Sequence, residues 1–304
     1  MAANWESFFS KWEAPASQTE IDERDRTEKQ IRNALQAWPA VARRNFRVYV
    51  KGSYRSGTNV RRGSDLDLAV ELLGASRSSE SFIYMKSFDA EHLSNSELSI
   101  SPASPEYGEA IRTFKDDCQN ALVAAFGRQN VERHNKCITV SERSTTLPAD
   151  VVPCLTHRRY DSRTTHHDGI EIRPDHGRSI VNWPRQDYDN GVSKNGRTSR
   201  RYKRVVRGLK ALENLMADAG NPETASWLIE CLVYNVPDAE FGSPSTYANA
   251  LSILRWLNQA LSETVGQGNW HEVNELKYLF AASQAWTLPE AQAFATRSLR
   301  AIQA

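Results

Sequence analysis

Two aspartates one residue apart, in the run SDLDLAV at 64–70, follow closely on GSYRSGT at 52–58, and this pairing constrains the chain more than any other feature. Side chains two apart on a strand point the same way, so a strand here aims the carboxylates of Asp65 and Asp67 at a shared point. Two converging carboxylates do not both stay ionised without a cation, and hard oxygen ligands favour Mg²⁺ or Mn²⁺. An Asp-rich turn ending an ordinary strand would leave the pair on one face with no partner. Upstream, FRVYV at 46–50 is a β-branched and aromatic strand that runs into Gly52, where the missing Cβ lets backbone approach a ligand closely. Ser53 offers a hydroxyl and an N–H to a phosphate oxygen. Gly57 and Gly63 loosen the intervening loop, and Leu66, Leu68 and Val70 alternate with Asp65, Asp67 and Ala69 as a strand buried on one face. These parts are those of a phosphoryl-transfer site.

Clamping both the attacking and the departing oxygen with two metals requires a third acid. Asp150, in LPADVVPCL, is the best candidate, because a short apolar strand, Val151 and Val152, follows it directly. Asp161, Asp168 and Asp175 lie among His, Arg and Gly and read as loop positions, as do His166, His167 and His176, which show no clear ligand geometry.

A second signal lies downstream. From Thr198, SRRYKRVVRGLKALENLM puts Tyr202, Val205, Val206, Leu209, Leu212 and Met216 on one helical stripe and Lys203, Arg207 and Lys210 on another. No acid accompanies these cations until Glu213, so they seek an anion, and a nucleotide triphosphate suits them. Between the two signals, GIEIRPDHGRSIVNWP at 169–184 alternates apolar and polar residues about Asp175 and Gly177, a hairpin pattern. It brings Asn182, whose amide matches the N6 and N1 pair of adenine, and Trp183 toward the pocket, Trp183 serving either to stack a base or to anchor the core.

With Gly52-Ser53, Asp65-Leu66-Asp67 and Asp150, the chain resembles the polymerase-β-like nucleotidyltransferases. The succession GSYRSGT, SDLDLAV, ADVVP, VNWP, KNGRTSRRYKRVVRGLK and SWLIECLVYN is similar, more closely, to the bacterial CD-NTases, relatives of cyclic GMP-AMP synthase, and most of all to their E clade. The resemblance spans roughly 46–235. It implies an α+β, two-lobed fold with a mixed sheet core and a helical lobe joined by a long spine helix. Residues 1–185 would form the catalytic core with an N-terminal helix, and 186–304 the spine helix and helical C-terminal lobe. By the same resemblance Asp65, Asp67 and Asp150 hold two Mg²⁺ ions, with Mn²⁺ as a substitute. Gly52 and Ser53 hold the donor triphosphate, helped by Lys210 and Ser226, with Lys203 as a competing lysine and Asn182 near the base. Ser226 reads equally as a plain helix N-cap. The implied reaction joins NTPs, ATP and UTP foremost, into a cyclic dinucleotide with release of pyrophosphate. The product would be an antiphage second messenger read by a cyclic-nucleotide-responsive effector, and the enzyme a cytoplasmic monomer.

Composition is compatible with this and excludes other classes. A formal charge of +1, with 25% charged residues among 304, argues against a protein that coats nucleic acid, so any anion site is local. No apolar run is long enough to span a membrane, and MAANWESFFSKWE lacks the layout of an export signal. Four cysteines without a C-x-x-C pair read as reduced thiols. Two alternatives share the acids: a nucleotidyltransferase with a tRNA or protein acceptor, of toxin–antitoxin type, and a non-catalytic nucleotide binder. Near-neutral charge counts against tRNA, and an intact acid triad against the binder. Elsewhere the pattern predicts a helix over 19–38, a surface excursion over 74–105 with a short helix near 88–93, and a helix over 105–126. It also predicts strands near 138–140 and 151–152, and two C-terminal helices carrying Tyr247, Leu251, Leu254 and Leu257, and Leu276 to Phe280, with Trp256, Trp270 and Trp286 locking the bundle.

Overall fold

In this computed structural model, which describes residues 4–61, 64–77, 106–161, 165–263 and 270–303, helix α1 (Trp5–Trp12) begins where the Asn4 side chain accepts the Ser7 amide. Ser17 and Glu20 then form a capping box, each side chain accepting from the other's backbone N–H, which sets the start of α2 (Gln18–Ala37). The short α3 (Pro39–Ala42) leads into β1 (Phe46–Val50), α4 (Gly52–Ser56) and β2 (Leu66–Arg77). Then come α5 (Glu106–Phe126), β3 (Val131–Arg133), β4 (Ile138–Val140), β5 (Ala149–Tyr160), β6 (His166–Ile172) and β7 (Ile180–Asn182). The remainder is helical: α6 (Pro184–Arg197), α7 (Arg201–Asp218), α8 (Ser226–Asn235), α9 (Thr246–Ala260) and α10 (Leu288–Gln303). The expected helix near 88–93, and Gly63, fall outside the described residues.

The strands form one seven-stranded mixed sheet in the order β1-β2-β5-β4-β3, with β6 on β5 and β7 on β6. Among the described residues only β2 and β5 run parallel, in a register that sets Asp67 beside Asp150. The strand expected at 151–152 is thus far longer, because β5 pairs with β4 over its first residues and with β6 over its last. His166, His167 and Asp168, expected in a loop, lie on β6 for the same reason.

Leu66, Leu68 and Val70 are fully buried against α2 and α5 in the core of the sheet lobe, each contributing about 1.5–3 kcal/mol. The opposite face is not left to solvent, because Ala69 is buried with Val152, Cys154, Ile170 and Ile172 under the β6–β7 hairpin. A separate core gathers α7, α8, α9 and α10. Phe9 of α1 belongs to that second core, so the N-terminal helix packs on the helical lobe rather than on the sheet. Gly208 makes room for it: a Cβ there would come within 2.7 Å of the Phe9 ring. Residues 276–280, expected as a helix, run as a loop in which Glu275 has φ 59° and the Leu276 amide donates to the Asn274 side chain. Trp270 of this loop packs on Trp256 and Phe280, and the Trp286 indole donates to the Leu279 carbonyl. All four cysteines are free thiols. Among the described residues no helix is long and apolar enough to cross a membrane.

Candidate active site

The parallel register places Asp67 and Asp150 side by side at the start of β2 and β5, and Asp65 stands just ahead of β2. Burial, then the charges of Asp150 and Asp67, push the Asp65 pKa above the ordinary carboxylate range. Lys51 Nζ reaches Asp67 at 3.2 Å, and the Thr139 hydroxyl donates to Asp150 at 2.6 Å. Among the described residues no three His, Cys, Asp or Glu side chains are grouped so as to hold a metal ion as they lie. The donor set still suits one: three neighbouring carboxylates, of which only Asp67 pairs with a lysine, carry negative charge that a hard divalent cation would relieve. Gly52 is obligatory here. Its φ is 65°, and a Cβ would overlap the Asp67 carboxylate, so only glycine lets α4 start against that acid.

A cavity of about 280 Å³ opens between the lobes. Gly52, Ser53, Asp67, Asn182, Lys210 and Ser226 all line it, which brings together six residues singled out in the sequence. Asp65 and Asp150 flank Asp67 without lining the cavity, and Lys203 does not line it either. The Lys203 ammonium lies 5.7 Å from the ring centre of Tyr188, where burial lowers its pKa.

The three cations expected to lack acid partners are held differently. Lys210 Nζ donates to Glu230 at 2.6 Å, and Glu230 also takes the Thr58 hydroxyl at 2.7 Å. Arg207 gives its guanidinium to the backbone carbonyls of Glu13 and Gly57. Their partners come from α8, from the segment after α1 and from the turn after α4, so a search along one helix does not reveal them. Lys203 alone of the three makes neither contact. Ser226 is the first residue of α8, whose N-cap is Ala225 with no side-chain capping bond, so Ser226 is not the N-cap, and it lines the cavity. Trp183 anchors the core: it is 1% exposed, packed with Val181 and Leu276 and edge-on to His157.

Trp227 takes the place at the cavity that Trp183 does not, beside Lys51, Arg55, Asp187, Glu230 and Glu272. Two of these were within reach of sequence, since Lys51 adjoins Gly52 and Trp227 adjoins Ser226. Asp187 is crowded by burial and by Glu272, which push its pKa well up, while the Asn274 amide donates to both acids. A second cavity, of about 1020 Å³ and bearing Lys136, Arg178 and Lys277, shares Asn182, Trp227 and Glu272 with the first. These three residues form a wall common to the two cavities.

Residues 189–303 match the cGAS/DncV-like nucleotidyltransferase C-terminal helical domain. Over 302 residues, 97% of this chain and 96% of its relative, the sequence is 34% identical to the cyclic dipyrimidine nucleotide synthase CdnE of Legionella pneumophila. The chain belongs to the cGAS/DncV-like nucleotidyltransferases. Within that family it is a cyclic-nucleotide synthase of the CdnE kind. The solved structure of Elizabethkingia meningoseptica CdnE with GTP and Apcpp superposes with a TM-score of 0.76 at 29% identity, covering 97% of each chain. Rhodothermus marinus CdnE, a c-UMP-AMP synthase solved with Apcpp and Upnpp, gives a TM-score of 0.74 at 28% identity over 98% of this chain and 94% of that one. The α+β, two-lobed CD-NTase architecture, with sheet and helical lobe facing across a cleft, is therefore that of this chain.

Proposed function

We propose that this synthase joins a uridine and an adenosine nucleotide into a cyclic dinucleotide, using Mg²⁺ or Mn²⁺ held by Asp65, Asp67 and Asp150. The observation that carries this reading is the Asp67–Asp150 register beside a cavity lined by Ser53, Lys210 and Ser226. The ions, when bound, supply charge neutralisation at the reacting phosphate and acidify the attacking ribose hydroxyl. The chain's own residues do the positioning. Ser53, Ser226 and Lys210 hold the donor triphosphate so that its α-phosphate lies over the acids, and a ribose hydroxyl of the second nucleotide attacks it with release of pyrophosphate. A second such step closes the ring. Trp227, between the cavities, offers an aromatic face to a base.

Asn182 lines both cavities. Its amide complements the N3–H and O4 of uracil as well as the adenine pair, and the likeness to a cyclic dipyrimidine synthase and a c-UMP-AMP synthase favours the pyrimidine. The product would act as an antiphage messenger on a separate effector, in the cytoplasm, from a monomeric enzyme. A tRNA or protein acceptor has no counterpart in those relatives. The test is incubation with labelled ATP and UTP and Mg²⁺, phosphatase treatment, and mass spectrometry. A phosphatase-resistant cyclic product with uridine and adenosine is expected. An all-purine or an all-pyrimidine cyclic product would overturn the base assignment, and a labelled macromolecule or no product the whole reading.

A further inference from the structure

Among the described residues three basic side chains line the cavity between the lobes, and two are already neutralised. Lys51 pairs with Asp67 at 3.2 Å, and Lys210 with Glu230 at 2.6 Å. Arg55 differs: among the described residues it has no acid partner, and its guanidinium carbon lies 4.7 Å from the ring centre of Tyr188. It stands on α4 two residues after Ser53, on the same cavity. Stacking on a ring orients a guanidinium through its face and leaves the in-plane N–H fork free, so the positive charge is aimed without being neutralised. Lys203 reaches the same ring, its ammonium 5.7 Å from the centre, and its side chain lies 4.0 Å from where a Gly57 Cβ would stand. Tyr188, on α6, thus gathers one cation from α4 and one from α7 at the edge of the site.

The geometry points to Arg55, oriented by Tyr188, as the residue that grips the terminal phosphates of the donor nucleotide, with Lys203 adding charge from beside the ring. A triphosphate arrives with more negative charge than one cavity cation can answer, and a planar fork that is not already paired matches phosphate oxygens bidentately. Lys210, by contrast, shares its charge with Glu230, so it positions the phosphates more than it neutralises them. This inference rests on the cavity being the donor site.

The experiment measures kcat and KM for product formation, and dissociation constants for a non-hydrolysable NTP and for the matching NMP, in wild type, Arg55→Ala, Arg55→Lys, Tyr188→Ala and Tyr188→Phe. Circular dichroism confirms that each variant folds. Arg55→Ala is expected to raise KM about tenfold or more while kcat falls by a smaller factor, and to cut the preference for NTP over NMP by a similar factor. Arg55→Lys falls between, because a lysine keeps the charge and loses the fork. Tyr188→Ala loses part of the preference, and Tyr188→Phe, which keeps the ring, retains most of it. A folded Arg55→Ala with wild-type KM and wild-type preference would overturn the inference. Failure of the donor-site reading is seen separately, as a wild-type protein that forms no cyclic product, and the NTP-to-NMP ratio still decides the role of Arg55 in that event.

Discussion

On the sheet side of the cavity Asp65, Asp67 and Asp150 crowd together with Lys51 on Asp67, whereas on the helical side Lys210 and Glu230 close on each other at 2.6 Å with both side chains 4% exposed. Left alone, the acids repel, and the Asp65 pKa is raised by burial first and by the charges of Asp150 and Asp67 second. The helical pair is complete before any ligand arrives. On the function proposed above, the sheet side would be finished by cations that come with the substrate, and the helical side would be a fixed frame that a phosphate meets already balanced. Removing charge should act in opposite senses on the two: without loss of stability but ruinous to chemistry on the sheet, costly to stability on the helices.

The largest effect expected is that of Asp65→Asn with Asp67→Asn. Product formation should fall by more than about a thousandfold, about 4 kcal/mol in the barrier, in the range seen when strong electrostatic stabilisers are deleted. Thermal unfolding of the metal-free double variant should occur close to that of wild type, since the repulsion among the acids is relieved while the part-exposed Lys51–Asp67 pair, worth at most about 1 kcal/mol, is lost. Turnover at the wild-type rate, or a large drop in Tm, would break the contrast at its stronger end.

Lys210→Ala sharpens the opposite side. It strands Glu230 as a buried, uncompensated carboxylate, and urea titration should show a loss of about 3 kcal/mol. Lys210→Met combined with Glu230→Leu should recover much of that stability while leaving NTP binding impaired. Lys203→Ala, with no acid partner to strand, should cost little stability; an equal loss from both lysines would show that the Lys210–Glu230 pair is not what frames the site.

Asn182→Ser ranks next. A hydroxyl cannot make both contacts of the amide, a loss of about 1–3 kcal/mol, or tenfold to a hundredfold in discrimination. On the proposed reading a uracil would depend on those edge contacts more than a purine, whose larger ring would still stack on Trp227. The uridine share of the product should drop in mass spectrometry, and an unchanged base composition would remove Asn182 from base reading.

The smallest effect concerns pH. A raised Asp65 pKa means the folded, metal-free protein holds a proton that the unfolded chain would have released. That group's contribution to stability therefore grows as pH falls through the raised pKa and is lost as pH rises through it. Metal binding runs the other way, since proton and cation compete for one carboxylate. At limiting Mg²⁺, activity should rise a few-fold, at most about tenfold, per pH unit through that window, and saturating Mg²⁺ should flatten the profile. A profile insensitive to Mg²⁺ would show that Asp65 is not a ligand.

What sequence disclosed and what it hid follow from range. Gly52, Ser53, Asp65 and Asp67 lie within one short strand–helix–strand segment, where a two-residue alternation carries the geometry of the two acids. Asp150 was legible as an acid before an apolar strand, but its place beside Asp67 depends on a parallel pairing between distant strands. Lys210 was visible and its partner Glu230 was not, because the contact joins two helices. Trp183 and Trp227 each adjoin a site residue, and only packing tells them apart: the former fills the space left by Gly169, the latter borders both cavities. The apolar spacing at 276–280 mimics a helix, yet the positive φ at Glu275 breaks it. Phe9 joined the helical core through a glycine near the middle of α7, a long-range fit with no local sign.

The claim that the sheet side is completed by cations is tested most directly by counting bound Mn²⁺ with electron paramagnetic resonance in the presence of a non-hydrolysable NTP. Wild type is expected to bind about two Mn²⁺ per chain, and Asp65→Asn with Asp67→Asn to lose them while still binding nucleotide weakly. Equal Mn²⁺ stoichiometry and affinity in the two proteins would contradict the account, because the metal would then be held by the nucleotide alone.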